Sequence, residues 1–382
     1  MTLAVDIGAL TVKVAAPDGV TTVPAPSGGP RAGARAALAA ASARGGLCAA
    51  VPEAWLTGEV GGASLREDVR HECEDVAGAG PVTWTGQLAA VAALTAKQHG
   101  RGRYLVCDVG GSGVRAGLFG VSDGTVEIVA THTADGGGWR DFDAAVRSGI
   151  PAGLPGTWYE QAVRQGPRAS MVLEDAAASP EEFGDTRVYR IGGPGGDIDL
   201  TARHVIDAFT PTLRRLRAAI GAAGAGPHEG VVLTGGLSWL PLTVRAIADA
   251  VGATPLVAGL DAAARGALLF AGGEVRLAPS AERRAVTLSA HRIRDGLLEE
   301  VSVELPWTEP FAALPGGALA IDGDELELTV AGQPRTARLH GLVPGPHRVG
   351  VRPTWPGSGV LVVRPVNGDS AHVVPLDSLT AR

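Results

Sequence analysis

The chain has 382 residues, 45% of them hydrophobic, which supports two or three domains with a substantial core. A formal net charge of −7, without a basic run or an aromatic platform, argues against nucleic acid as a partner. No stretch approaches about 18 consecutive apolar residues, no basic-then-apolar leader opens the chain, and Cys48, Cys73 and Cys107 form no metal or redox pattern. A membrane span, secretion and a disulfide framework are therefore disfavoured, and a cytoplasmic location with reduced core cysteines is expected.

Leu3 to Val5 is an apolar run ending in Asp6-Ile7-Gly8, and Thr11 to Ala16 alternates as a strand does. Asp18-Gly19 offers a hairpin turn before Val20 to Val23. Pro24 to Gly33 reads as loop, Ala34 to Ala43 as an alanine-rich helix and Leu47 to Val51 as a buried strand. Leu65, Val69, Cys73, Val76 and Ala77 fall at helical spacing, and Gly78 can end that helix. Val82 to Trp84 reads as a strand and Gln87 to Gln98 as a small-residue helix that packs closely.

Arg103 to Ala130 carries the most chemistry. Tyr104 to Cys107 reads as a buried strand, and Asp108 follows where a carboxylate can hold a cation. Gly110, Gly111 and Gly113 let the backbone approach a ligand closely, so that N–H groups converge on an anion. Gly111 to Ala116 also fits the dinucleotide fingerprint, but that motif needs a helix to open at the glycines. Here Asp123-Gly124, a hairpin signal, leads instead to the β-type run Thr125 to Ala130. The order strand, Asp-x-Gly, strand, turn, strand thus occurs twice, at Asp6 and at Asp108. Two such hairpins facing each other would bring two glycine loops and two carboxylates to one cleft.

Further on, Trp158 to Val172 is helical at first, with Glu160 and Arg164 four residues apart on one face. Glu174 to Arg190 reads as irregular and Ile191 to Asp197 as a flexible loop. A helix from about Thr201 to Ile220 is interrupted by Pro211, so a kink or two successive helices is expected. Gly230 to Thr234 reads as a strand running into Gly235-Gly236, and Pro241 stands where a first helical turn favours it, before Leu242 to Val251. Ala262 to Phe270 reads as a helix ended by Gly272-Gly273. Beyond roughly Pro279 the composition turns to short β runs at Ala285 to Ser289, Glu300 to Leu305, Leu326 to Val330, His347 to Val351 and Gly359 to Val363. Prolines such as Pro346 and Pro365 are expected to confine them to edges and short strands.

Together, the two Asp-x-Gly hairpins and the later Gly-Gly-x-x-x-x-Pro resemble the loops of the actin, sugar-kinase and Hsp70 superfamily, and Hsp70 most of all. VPEAW at Val51, DVGGSG at Asp108, GGGWRDFD at Gly136 and TGGLSWLP at Thr234 resemble that family's motifs in the same order. The resemblance implies an α/β, two-lobed actin-like ATPase fold of duplicated ribonuclease-H-like lobes, followed by a small β-sandwich domain. The nucleotide-binding part would cover 1–275, with lobes of about 1–106 and 107–275, and the β-rich part 280–382. It further implies ATP or ADP with Mg²⁺ clamped between the lobes, Asp6 and Asp108 holding the metal through water. Gly8, Ala9, Leu10, Gly110, Gly111, Ser112 and Gly113 would line the phosphates. Gly235, Gly236, Glu160, Arg164 and Trp239 would meet the nucleoside, and the partner would be a polypeptide client or another protein.

The departures from the family pattern are chemical. Ala9 and Leu10 stand where the family has threonines, Gly113 where it has another, and Arg115 where it has an aspartate; the segment carrying its catalytic lysine is missing. Lys13 stands where actin and several sugar kinases place a phosphate-contacting lysine. Losing one well-placed polar group commonly costs a hundred- to a thousand-fold in rate, roughly. Slow or absent hydrolysis is therefore expected, with a pseudo-ATPase scaffold, and a small-molecule kinase using Asp135 or Asp141, as rival readings.

Overall fold

The structure, a computed structural model, describes residues 2–8, 10–24, 32–35, 47–57, 69, 73, 82–150, 153–193, 195–224, 226–278, 285–294, 297–306, 319–352, 359–367 and 371–381. The chain is a mixed α/β protein with several sheets.

The first sheet is built from β1 (Leu3–Ile7), β2 (Thr11–Ala16), β3 (Gly19–Pro24), β4 (Leu47–Val51) and, after the short helix α1 (Glu53–Thr57), β5 (Val82–Gly86). Its order is β3-β2-β1-β4-β5, antiparallel on the β2 side of β1 and parallel on the β4 side. β1 and β4 are buried along their whole length, as strands covered on both faces must be, and both read as nearly unbroken apolar runs. Helix α2 (Gln87–His99) then leads to the second sheet through β6 (Gly102–Val109), β7 (Gly113–Ser122) and β8 (Thr125–Asp135). The β7/β8 hairpin turns at Asp123 and Gly124, both at positive φ (48° and 69°), the turn that this dipeptide favours.

Helices α3 (Trp139–Ser148), α4 (Trp158–Arg164), α5 (Gly166–Ala178) and α6 (Pro180–Phe183) follow, then the hairpin β9 (Arg187–Gly193) and β10 (Gly196–Thr201) and the long helix α7 (Ala202–Ala223). β11 (Gly230–Thr234), α8 (Pro241–Val251), β12 (Leu256–Val257), α9 (Ala262–Ala271) and β13 (Arg276–Leu277) close this part. The second sheet runs β12-β11-β6-β7-β8-β13, again with two antiparallel neighbours on one side of its first strand and parallel strands on the other. Helices α2 and α9 share one core with residues of both sheets, among them Ala4 and Cys48 of the first and Val106 and Phe119 of the second. Their contact is close because Gly266 has no side chain: a Cβ there would stand 1.9 Å from the Ala90 carbonyl oxygen.

Several sequence expectations change. Glu174 to Arg190 is not irregular: α5 runs to Ala178, α6 follows, and Val188 and Tyr189 are buried strand residues. Ile191 to Gly193 belong to β9 and Gly196 and Asp197 to β10, a hairpin in which Ile191 and Leu200 point inward against the core. α7 continues through Pro211 as one helix of 22 residues, opened by a capping box between Thr201 and His204. The first hairpin turns one residue early, since Gly19 already pairs with Ala16. Of the helices expected at 34–43 and 65–77, the described residues Ala34, Val69 and Cys73 are buried, and most of the rest lies outside the described residues.

The C-terminal strands β14 (Val286–Arg294), β15 (Leu297–Glu304), β16 (Leu319–Ile321), β17 (Glu325–Val330), β18 (Gln333–Arg338), β19 (Gly345–Arg352), β20 (Val360–Pro365), β21 (His372–Pro375) and β22 (Thr380–Ala381) form two antiparallel sheets. Leu326, Leu328 and Val330 of one sheet and Val349, Val351, Leu361 and Val363 of the other lie in a single core. Pro346 and Pro365 sit at the ends of β19 and β20, each of which has a neighbour on both sides. They shorten inner strands rather than mark edges, because a strand end has the least ladder N–H to lose.

Candidate functional site

Each first hairpin carries an aspartate as the penultimate residue of its leading strand and a base as the third residue of its return strand. In β1/β2, Asp6 stands opposite Lys13; in β6/β7, Asp108 stands opposite Arg115, and Ile7 and Val109 face Val12 and Val114 in the same way. Both turns close alike, the Gly8 amide donating to Thr11 at 3.1 Å and the Gly110 amide to Gly113 at 3.0 Å. The two hairpins are the same device built twice.

Both carboxylates are buried, and both are ion-paired by these cross-strand neighbours. Lys13 Nζ lies 3.0 Å from Asp6 Oδ2. The Arg115 guanidinium donates to Asp108 Oδ2 from Nε at 3.0 Å and from a terminal nitrogen as well. Gln87, the first residue of α2, joins the two pairs: its Nε2 donates to Asp6 Oδ1 at 2.5 Å and to the Ile7 carbonyl at 3.1 Å, and its Oε1 accepts from Arg115 at 2.6 Å. The coulombic pull of Asp108 and Glu53 holds the Arg115 pKa above its usual value against the opposing effect of burial. Glu53 borders this network. Its Oε1 caps α2 by accepting from the amides of Leu88 and Ala89, whereas its Oε2 is buried without a partner. Burial pushes the Glu53 carboxyl up to about 6, opposed by Arg115 and the two amides.

The structure thus brings Asp6, Lys13 and Asp108 into one network, with Gly8, Leu10, Gly110, Gly111, Ser112 and Gly113 at the two turns; Ala9 lies outside the described residues. Among the described residues the amides of Leu10, Gly111 and Ser112 meet no protein acceptor. The second turn is tied to the start of α3, Trp139 N–H donating to the Gly110 carbonyl and Arg140 N–H to that of Gly111. Gly138 allows this contact, since a Cβ there would stand 2.6 Å from the Gly110 oxygen. Gly235 closes on the same aspartate at φ +96°, where a Cβ would stand 2.2 Å from Asp108 Oδ1.

Gly236 lies beside Trp139, whose ring meets Tyr159 at 5.1 Å, Trp158 at 5.7 Å and Trp239 at 6.4 Å between centroids. Trp239 packs against Tyr189 as well, and its Nε1 is buried without a partner. This aromatic cluster brings α4 to the Gly235-Gly236 turn. Glu160 and Arg164 on α4 are exposed and form no ion pair with each other; Glu160 instead accepts from the Tyr159 hydroxyl at 3.4 Å. Asp141, in the first turn of α3, accepts a hydrogen bond from the Gly137 amide just before the helix. Gln87, Glu53 and Trp139 carried no role in the sequence reading. The signal for the cross-strand bases was present, because Asp6–Lys13 and Asp108–Arg115 share a seven-residue spacing.

The chemistry of these donors can be tested against the groups that the family resemblance implies. Turn amides that meet no protein acceptor fit a phosphate. Carboxylates that already face a lysine and an arginine do not fit a hydrated Mg²⁺, which needs anionic oxygens and an uncompensated negative site.

An α/β architecture with several sheets is one that α/β ATPases have. Two of the curated proteins that the chain resembles are the Chaperone protein HscA homologue of Bordetella petrii, 29% identical over 175 residues, and that of Cupriavidus pinatubonensis, 31% identical over 179 residues. Each match takes in 44% of this chain and 28% of the relative, so the chain spans under a third of the length of the proteins it matches. The relationship to Hsp70-type chaperones is distant and partial. No protein-family model matches the chain. No helix among the described residues is long and apolar enough to cross a membrane.

Proposed function

We propose that the chain is an Hsp70-like protein in which two actin-like, ribonuclease-H-type lobes, about 1–106 and 107–275, bind nucleotide between them without turning it over. Residues 280–382 form a β-sandwich that docks a polypeptide or protein partner. One observation carries the reading: the same hairpin occurs twice, in sheets that share one five-strand order to which the second adds β13 at its edge, and in both copies the cleft aspartate is held by a base from its own return strand. The repetition supports two lobes with a shared phosphate cleft, and the ion pairs support a pseudo-ATPase. The HscA homologues are named as chaperones, which is the ground for proposing polypeptide or partner binding.

In the proposed cleft, the amides of Gly111, Ser112 and Leu10 bind phosphate oxygens, and Gly235 and Gly236 admit the nucleoside beside Trp139 and Trp239. Lys13 and Arg115 pair with the carboxylates and hold them in place. Neither Asp6 nor Asp108 is then available to orient an attacking water. The test is phosphate release from ATP and Mg²⁺ by the full chain. No release above buffer is expected; steady turnover that disappears in Asp108→Ala would overturn the pseudo-ATPase reading.

A further inference from the structure

We propose that Lys13 and Arg115 stand in for the divalent cation of this cleft, so that a phosphate-bearing ligand is held at the two glycine turns without metal. The inference rests on the cleft reading above and adds the ionic form of its ligand.

A hydrated divalent cation between two carboxylates does two jobs: it cancels their charge and it fixes their positions. Here both jobs are already done by side chains. Asp6 Oδ2 faces the Lys13 ammonium, Asp6 Oδ1 accepts from Gln87, and Asp108 Oδ2 takes two N–H bonds from Arg115. The two positive and two negative groups cancel, and Gln87 locks one pair to the other. The four charged side chains are between 5% and 15% exposed, so solvent screens the pairs weakly. A dication placed among them would meet two fixed positive charges, whereas a phosphate at the turn amides would find Asp6 and Asp108 already paired. The guanidinium is the better substitute because it stays charged and its planar fork engages Asp108 through two nitrogens.

The test has two readouts on the full chain. The first is Mn²⁺ binding followed by electron paramagnetic resonance, without nucleotide. The wild type is expected to leave Mn²⁺ free, and Arg115→Gln to bind it at least tenfold more tightly, an affinity lost again when Asp108→Asn is added. The second is calorimetric titration of the wild type with ATP in EDTA and in Mg²⁺, where equal affinity is expected. Wild-type Mn²⁺ binding that vanishes in Asp108→Asn, or an ATP affinity that requires Mg²⁺, overturns the proposal and leaves the non-hydrolysing cleft standing. A folded Arg115→Gln that still ignores Mn²⁺ also overturns it. No ATP binding in either buffer removes both this proposal and the nucleotide reading beneath it. If Arg115→Gln does not fold, the two wild-type measurements decide.

Discussion

Glu53 shows how much one buried atom can set. Its Oε1 serves the first turn of α2, but its Oε2 has no partner, and burial raises its pKa from 4.5 to about 6. A carboxyl whose folded pKa lies above its unfolded value binds its proton more tightly when folded. Its contribution to stability is therefore complete below pH 4.5 and is lost as pH rises through about 6. A shift of that size corresponds to about 2 kcal/mol. Urea unfolding of wild type and Glu53→Gln from pH 4 to pH 7.5 is expected to show the wild type losing about 2 kcal/mol relative to the variant across that window. A difference that stays constant with pH would contradict the assignment. Beside it, Trp139 and Trp239 flank the Gly235-Gly236 turn. Occupation of that turn by nucleotide is expected to change tryptophan fluorescence in the wild type and to change it less in Trp239→Phe.

Between elements, the decisive contact is that of α2 with α9. Ala89, Ala90, Ala92 and Ala93 on one helix and Ala263, Ala264, Gly266 and Ala267 on the other are all buried, so the helices meet nearly backbone to backbone. Gly266→Ala would push a methyl group into the Ala90 carbonyl and, as an overpacked core site, is expected to cost about 3 kcal/mol. The same substitution at Gly221 in α7 meets nothing within 4 Å and is expected to stabilise by about 0.5–1 kcal/mol through helix propensity. Thermal or urea unfolding of the two variants tests the pair, and equal effects would mean that α2 and α9 do not pack this closely. The small residues of both helices were legible in the sequence. That they face each other was not, because 163 residues or more separate them and no local periodicity names a partner.

At the scale of the whole molecule, the C-terminal strands have a core of their own, drawn from both of their sheets. Residues 285–382 produced alone are expected to fold, with a β-type circular dichroism spectrum and a cooperative unfolding transition. A featureless chain would mean that this region depends on residues 1–278. Much of the architecture follows from local chemistry. The alternation of β2, the apolar runs of β1, β4 and β11, the Asp123-Gly124 turn, Pro241 at the head of α8 and Gly273 at the end of α9 are short-range rules written in adjacent residues. The β9/β10 hairpin escaped because its glycines hide the alternation of its few apolar residues, and α7 ran through Pro211 because burial of Phe209, Leu216 and Ile220 outweighs one missing hydrogen bond. At the site, the sequence by itself determined that two aspartates and two glycine turns recur with the same spacing. Only the tertiary structure decided what those aspartates do, because pairing across a hairpin sets Lys13 and Arg115 on them. Gln87, some eighty residues from Asp6, then ties the two pairs into one network through long-range packing that no stretch of sequence encodes alone.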